Sequence, residues 1–152
     1  LSSISKILER VLLNRINDHL EENNIIPKQQ CGFRPGRSTS HQLINVIKTA
    51  KENLRNKKST GVIFLDVEKA FDRVWHNGCL YKMIKLEFPS ALIKTVGSFI
   101  SERTFSVFIN GQHSEIKGTR YGVPQGAVLS PTLYNIFTHD IVKETTDKIA
   151  LF

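Results

Sequence analysis

The sequence has only two cysteines, one tryptophan and one methionine among its 152 residues. Cys31 and Cys79 lie far apart, and neither belongs to a Cys-x-x-Cys pair. This argues against a zinc site and favours reduced thiols in an intracellular protein. No apolar run approaches the roughly 20 residues that a transmembrane helix needs, and no signal peptide is visible. We therefore expect no membrane partner.

Acidic residues are also few, because 14 Asp and Glu face 21 Lys and Arg, which gives a formal charge of +7 and a pI near 9.6. A basic excess suits a polyanionic partner such as nucleic acid or a membrane surface, although many basic proteins bind neither. Hydrophobic residues make up 40% of the chain and fall in periodic blocks. We expect one folded domain or two linked subdomains.

Both ends of the sequence look like breaks inside a longer polypeptide. The first residue is Leu1 rather than Met, and the apolar run 149–152 ends without a turn or cap. The oligomeric state is not predicted by any feature of the sequence.

Apolar residues at helical spacing predict five helices. The first runs from Ser3 to about Glu22 with one buried stripe, and the second begins at Ser38 or Thr39, either of which could cap it. The predicted spans are 3–22, 39–54, 70–84 with a break at Asn77-Gly78, 90–100, and 131–144 with Ser130 as cap.

A basic loop with two glycines and a proline, at residues 32–38, connects the first two helices. Arg34 and Arg37 flank the start of the second helix, and a helix N-terminus between two arginines is a potential anion site. The alternative is a basic turn whose arginines lie in water.

The stretch from Gly61 to His76 organises the chain. It opens with Val62-Ile63-Phe64-Leu65, which predicts a strand buried on both faces. The strand ends in Asp66, and an acid at the exit of a buried strand is costly unless a cation lies against it. A divalent metal is one such cation, whereas the alternative is an acid that caps the next turn.

The period changes to two after Thr104. Asn110-Gly111 predicts a tight hairpin turn within residues 104–117. A rigid loop follows, Gly122-Val123-Pro124-Gln125-Gly126, which leads into the last helix. Residues 148–152 are expected to begin a further strand.

Four of these segments, in this order, resemble the reverse transcriptases of non-LTR retrotransposons. They are Gly32-Phe33-Arg34-Pro35-Gly36-Arg37-Ser38, Phe64-Leu65-Asp66-Val67-Glu68-Lys69-Ala70-Phe71-Asp72, the loop Gly122 to Pro131, and the strand ending Ala150-Leu151-Phe152. The form Asp-Val-Glu-Lys-Ala-Phe-Asp-Arg-Val is most similar to the jockey-type elements (LINEs) of insects. The resemblance spans nearly the whole chain.

The resemblance implies an α+β right-hand polymerase, with residues 1–59 in the fingers and 60–152 in the palm, whose antiparallel sheet packs on helices. It implies that Asp66 is the first catalytic aspartate, that the Val67 carbonyl helps to coordinate metal, and that Phe71 excludes a ribose 2′-hydroxyl. Gln125 and Gly126 would support the incoming nucleotide. Arg34 and Arg37 would lie near template and phosphate.

The implied reaction is RNA-directed DNA synthesis with two Mg²⁺ ions, or Mn²⁺, on an RNA template, a DNA primer and deoxynucleoside triphosphates. Such an enzyme would occupy the nucleus and cytoplasm. The family's hairpin with two adjacent aspartates would begin after Phe152, so we expect the 152-residue chain alone to be inactive. Two alternatives remain: a group II intron-type or retron-type enzyme, and a nucleic-acid-binding remnant without catalysis.

Overall fold

The computed structural model describes residues 3–141 and 148–151. The described helices are α1 (Ser3–Glu22), α2 (Thr39–Arg55), α3 (His76–Lys85), α4 (Ser90–Ile100) and α5 (Ser130–Thr138), with a 3-10 turn at Ala70–Arg73. The strands are β1 (Thr104–Phe105), β2 (Phe108–Ile109), β3 (Gln112–His113) and β4 (Lys117–Gly118). This mixture of helices with small antiparallel strands is compatible with the predicted α+β class.

Three helices begin where the sequence places them. The predicted starts of α1 and α4 are confirmed, and Ser38 caps α2 as expected. The N–H of Ser38 donates to Nδ1 of His41 at 3.2 Å, so the two residues close the first turn of α2. In α5, Ser130 is the first helical residue, and its hydroxyl donates to the Pro124 carbonyl at 2.7 Å rather than capping the helix.

The hairpin prediction is confirmed. β1 pairs with β4 and β2 pairs with β3, both antiparallel. Asn110 and Gly111 have φ values of 50° and 81°. Two successive positive φ values define the tight turn whose twist suits antiparallel strands, and they explain the Asn-Gly pair.

The predicted helix over 70–84 is broken earlier than at Asn77-Gly78. The 3-10 turn ends at Arg73, and α3 begins at His76. Trp75 instead forms an antiparallel bridge with Tyr121, which requires an extended backbone. Gly78 lies inside α3, where an added Cβ would come within 2.5 Å of the Trp75 ring. It is therefore a close-packing residue and not a helix breaker.

One core joins α3, α4 and α5 with the C-terminal half of α1. Val74, Cys79 and Met83 contribute from the 74–85 segment, and each is fully buried. Both cysteines are free and buried, and burial raises the pKa of Cys79 to about 12. The remaining members of the core cluster are Ile16, Leu20, Ile26, Phe88, Leu92, Val96, Ile100, Val123, Leu129, Leu133 and Ile136.

The predicted apolar stripe of α1 is buried only in its second half. Ile4 and Ile7 are 80% and 64% exposed, whereas Ile16 and Leu20 belong to the core. In the first two turns only Glu9 is buried, so helical spacing alone overstated the burial of the apolar residues there. For the same reason Ile141, which follows α5, is exposed.

The prediction of a buried strand at 61–66 is wrong for this structure. The segment forms no strand, and Ile63, Phe64 and Leu65 are 85–91% exposed. A strand needs a neighbour for its backbone hydrogen bonds, and none of the described residues pairs with this run. An antiparallel palm sheet is accordingly not formed by residues 3–141 and 148–151.

The predicted strand at 148–152 is described as far as Leu151. Leu151 forms a parallel bridge with Gln30, and Cys31 N–H donates to the Leu151 carbonyl at 3.1 Å. The predicted strand at 148–152 thus begins to pair at Leu151. The predicted continuation of the last helix to Glu144 lies outside the described residues, as does Phe152.

Within the described ranges, none of the helices combines the length and the apolar character that crossing a bilayer would require.

Gly122 offers a test of the packing between the two halves of the chain. Its φ is +85°, and an added Cβ would lie 3.0 Å from the Asp72 carbonyl oxygen. We expect Gly122→Ala to lower the free energy of unfolding by about 1–3 kcal/mol, because strain and a backbone clash coincide. The measurement is urea unfolding followed by circular dichroism. Gly61→Ala is the control, since nothing lies within 4 Å of its Cβ position. Equal stability of the two variants would contradict the described contact.

Candidate functional site

The loop 122–130 is joined to segment 71–76 by backbone hydrogen bonds. Val123 N–H donates to the Phe71 carbonyl at 2.9 Å, and Gly122 N–H donates to the Val74 carbonyl at 2.8 Å. These bonds continue the bridge between Trp75 and Tyr121. Two segments that are about 50 residues apart in sequence therefore form one unit.

The carbonyl of Gly122 is the polar centre of this unit. It accepts hydrogen bonds from Nε2 of His76 at 2.7 Å and from the Arg103 guanidinium at 2.9 Å. His76 is buried, so the imidazole fixes the backbone at the start of the loop. His76 therefore has a packing role in this structure.

Gln125 and Gly126 lie at the exposed tip of the loop. The side-chain amide of Gln125 donates to Oδ1 of Asp72 at 3.0 Å. Gly126 has a φ of +82°, and no atom lies within 4 Å of its Cβ position. The tip is thus tied to Asp72 on one side and open above Gly126.

Phe71 lies between the loop and a small aromatic cluster. Its ring is half-buried and packs on the rings of Phe33, at 5.6 Å, and Tyr134, at 5.4 Å. The Phe71 ring therefore contacts both the basic loop, through Phe33, and α5, through Tyr134. Edge-to-face and tilted packing at these distances is favourable for aromatic rings.

Asp66 and Val67 precede the 3-10 turn, and both are exposed. Burial is the main cause that raises the pKa of Tyr134, and the negative charge of Asp66 raises it further. Asp66 is thus within electrostatic range of Tyr134, one of the rings that pack on Phe71.

The structure joins Phe71 and Gln125 through the segment 71–72, and the charge of Asp66 acts on Tyr134, which packs on Phe71. Tyr134 connects Asp66 with Phe71, and Asp72 connects Phe71 with Gln125. Their individual roles stay predictions.

Arg34 and Arg37 occupy different surroundings. Nη1 of Arg34 donates to the carbonyls of Ile26, at 3.4 Å, and Pro27, at 3.2 Å, so this guanidinium holds the basic loop on the chain before it. Arg37 is exposed, and its guanidinium forms no hydrogen bond or ion pair with a described residue.

The described residues offer a metal only part of a coordination shell. The Asp66 carboxylate and the Val67 carbonyl are hard oxygen donors of the kind that Mg²⁺ prefers. No group of three His, Cys, Asp or Glu side chains is gathered within 3–141 and 148–151. Asp140, the other acid near α5, is engaged by Lys82 at 2.6 Å, and the hydrogen bond from Lys82 lowers its pKa.

Sequence reasoning missed four side chains that hold this region. Phe33 and Tyr134 pack on Phe71, and Asn135 donates to the carbonyls of residues 32 and 33 at 3.2 and 3.3 Å. Glu9 is 2% exposed and accepts hydrogen bonds from the 122–130 loop. A signal for Glu9 existed, because it has helical spacing with Leu13, Ile16 and Leu20 on the buried stripe of α1.

Comparison with known proteins gives a consistent result. The family described as "Reverse transcriptase (RNA-dependent DNA polymerase)" matches residues 1–152. As a family, reverse transcriptases use divalent metals, RNA templates and nucleotide substrates.

Among curated relatives, the chain is similar to "RNA-directed DNA polymerase from mobile element jockey" of Drosophila melanogaster, with 47% identity over 145 residues. The Drosophila funebris protein of the same name is 48% identical over 141 residues. "Probable RNA-directed DNA polymerase from transposon BS" of Drosophila melanogaster is 41% identical. These matches cover 93–95% of the chain but only 15–16% of each relative. They confirm the predicted likeness to jockey-type elements.

The neighbourhood of Asp66 and Tyr134 can be tested by titration. We expect Asp66→Asn to lower the pKa of Tyr134, because the nearby negative charge that opposes tyrosinate formation is removed. The pKa should stay above that of an exposed tyrosine, since burial, the larger cause, remains. The measurement is a pH titration by NMR with ¹³C-labelled tyrosine, assigned with Tyr134→Phe. Asp18→Asn, on the exposed surface of α1, is the control. A Tyr134 pKa identical in both variants would place Asp66 elsewhere.

Proposed function

Because the chain belongs to the reverse transcriptase family, we propose that it forms the fingers, residues 1–59, and part of the palm, residues 60–152, of an RNA-directed DNA polymerase of a non-LTR retrotransposon. The observation that supports this proposal is that Phe71 lies in the 3-10 turn at Ala70–Arg73, shortly after Asp66, and that Gln125 is hydrogen-bonded to Asp72 of the same turn. The substrates are an RNA template, a DNA primer and deoxynucleoside triphosphates. The formal charge of +7 supports binding to nucleic acid backbones.

Asp66 is the proposed catalytic acid. Its carboxylate, with the Val67 carbonyl, would hold Mg²⁺, and further ligands would come from the nucleotide and from the rest of the polymerase. Bound divalent ions stabilise the attacking and leaving oxygens of an in-line phosphoryl transfer. The exposure of Asp66 supports this role, because an acid that must meet a metal and a triphosphate has to be accessible.

Phe71 and Gln125 would shape the nucleotide site. The Phe71 ring is held by Phe33 and Tyr134 and would pack under the sugar, where a 2′-hydroxyl has no room. Gln125 is held by Asp72, and the open space above Gly126 leaves room for the nucleotide. Rings and amides fixed in this way would select a substrate without having to reorder first.

Arg34 and Arg37 have different roles in this proposal. Arg37 is exposed and without a side-chain partner among the described residues, so it is the better candidate for a phosphate contact. Arg34 uses part of its guanidinium to hold the carbonyls of Ile26 and Pro27, so it would position the loop near the template.

The location of the protein follows from its substrates. An enzyme that copies RNA into DNA for insertion into a genome would act in the nucleus and also meet its RNA in the cytoplasm, and we propose both compartments.

The proposal is tested by primer extension in a chimera. Residues 1–152 replace the matching segment of the Drosophila melanogaster jockey polymerase, to which they are 47% identical. We expect RNA-templated synthesis with Mg²⁺, and we expect Asp66→Asn to lower kcat by about a thousandfold, because a metal ligand is lost. The 152-residue chain assayed alone should give no extension, since its described part supplies only a partial metal site.

Asp18→Asn serves as the matched control, because it makes the same change on the exposed surface of α1. Unchanged activity in the Asp66→Asn chimera would exclude the assignment of Asp66. Measurable synthesis by the 152-residue chain alone would refute the expected inactivity.

Sugar selection tests Phe71. In the active chimera, Phe71→Val should raise the incorporation of ribonucleotides relative to deoxyribonucleotides by roughly tenfold or more, because a smaller side chain leaves space for the 2′-hydroxyl. The measurement compares kcat/KM for the two sugar types. Phe33→Val, which removes a ring from the same cluster, separates gating from loss of packing. Equal selectivity of Phe71→Val and the parent would remove the gate assignment.

A further inference from the structure

Glu9 is a buried acid in a helix that carries no assigned functional residue. It lies on α1 and is 2% exposed, while its neighbours Leu8 and Arg10 are exposed. A carboxylate removed from water in this way is costly unless hydrogen bonds replace its hydration. The partners of Glu9 therefore indicate what it does.

Those partners are backbone groups at the end of the 122–130 loop. Oε2 of Glu9 accepts from Val128 N–H at 2.6 Å and from Leu129 N–H at 3.4 Å. Oε1 accepts from the hydroxyl of Ser5, one turn earlier on α1, at 3.5 Å. Glu9 thus connects α1 to a loop that is about 120 residues further along the chain.

The two N–H groups that donate to Glu9 lie at the start of α5. Leu129 is the N-cap residue of α5, and its own side chain makes no capping hydrogen bond. The first N–H groups of a helix have no partner inside the helix and attract negative charge. In a capping box a glutamate or glutamine three residues into the helix accepts from the N–H of the N-cap residue, and here Glu9 supplies that acceptor from α1.

The anchored segment is short and carries the site. Ser130 donates to the Pro124 carbonyl and Ala127 N–H donates to the same oxygen at 3.2 Å, so both bonds close the turn from 124 to 130. Its other end is fixed by the bonds of Gly122 and Val123 to segment 71–76. Glu9 is a polar contact at the C-terminal end of this turn, at Val128 and Leu129, which follow Gln125 in the sequence.

We propose that Glu9 is a positioning residue for nucleotide binding, which fixes the turn 124–129 and the start of α5 and so holds Gln125 and Tyr134 in place. This inference rests on the proposed function of the site. It assigns to α1 a role in the affinity for the incoming nucleotide.

The first test uses the 152-residue chain and does not depend on catalysis. We expect Glu9→Leu to reduce amide hydrogen-exchange protection at Val128 and Leu129 by about tenfold, because the loss of the acceptor frees both N–H groups. Glu9→Gln keeps an acceptor at the same reach and should retain most of the protection. Glu9→Asp is one methylene shorter and should not. Glu22→Leu, exposed on the same helix, is the control.

The second test uses the jockey chimera. We expect Glu9→Leu to raise the KM for deoxynucleoside triphosphate by about tenfold, with a smaller change in the KM for primer–template and with rescue by Glu9→Gln. A purely structural role would instead reduce the active fraction, and would lower kcat with both KM values unchanged. That outcome, or exchange at 128 and 129 equal to the Glu22→Leu control, would overturn the proposal. An inactive parent chimera would count against the proposed function, whereas the exchange result would still decide the anchor.

Discussion

The pairing of segment 71–76 with residues 121–123 is the constraint on which the rest of the structure depends. Two backbone hydrogen bonds, at 2.8 and 2.9 Å, and the bridge from Trp75 to Tyr121 make this contact. It requires close approach, because a Cβ on Gly122 would lie only 3.0–3.3 Å from backbone atoms of Asp72. Since Phe71 and Gln125 are carried by these two segments, their relative position is set by main-chain geometry. Side-chain packing alone would leave it adjustable.

Local sequence patterns predicted much of this architecture. The helices α1, α2 and α4 and the Asn110-Gly111 turn all have signals contained within a few residues of chain: apolar spacing, a Ser cap and two residues that tolerate positive φ. The site residues came instead from the resemblance of ordered motifs. What could not be predicted was long-range contact, such as the bond from Glu9 to Val128 and the contact of Asn135 with residues 32 and 33. No local pattern specifies which distant backbone group a buried polar side chain will meet.

The run Val62-Ile63-Phe64-Leu65 shows the opposite limit of sequence reasoning. Its composition is that of a buried strand, yet these residues are 52–91% exposed. Strand preference measures how well side chains fit a pleated, covered surface, so it is realised only where neighbouring strands and a packing face exist. The described residues supply neither for this segment. The exposed face of α2, with Ile44 60% exposed, has the same character. Large exposed apolar side chains of this kind are typical of surfaces that pack against another protein segment.

The segment that carries Gln125 and the segment that carries Asp66 are therefore held in place to different degrees. The side that carries Gln125 is fixed within the described residues, by the 71–76 pairing at one end and by Glu9 at the other. The side that carries Asp66 follows an unpaired, exposed segment, and its one described interaction is the electrostatic effect on Tyr134. The metal role proposed for Asp66 would need a rigid backbone beneath the carboxylate, because metal ligands must be placed within about half an ångström. The loop 122–130 is therefore held by described residues of this chain, whereas exact placement of Asp66 requires strands that pair with residues 61–66.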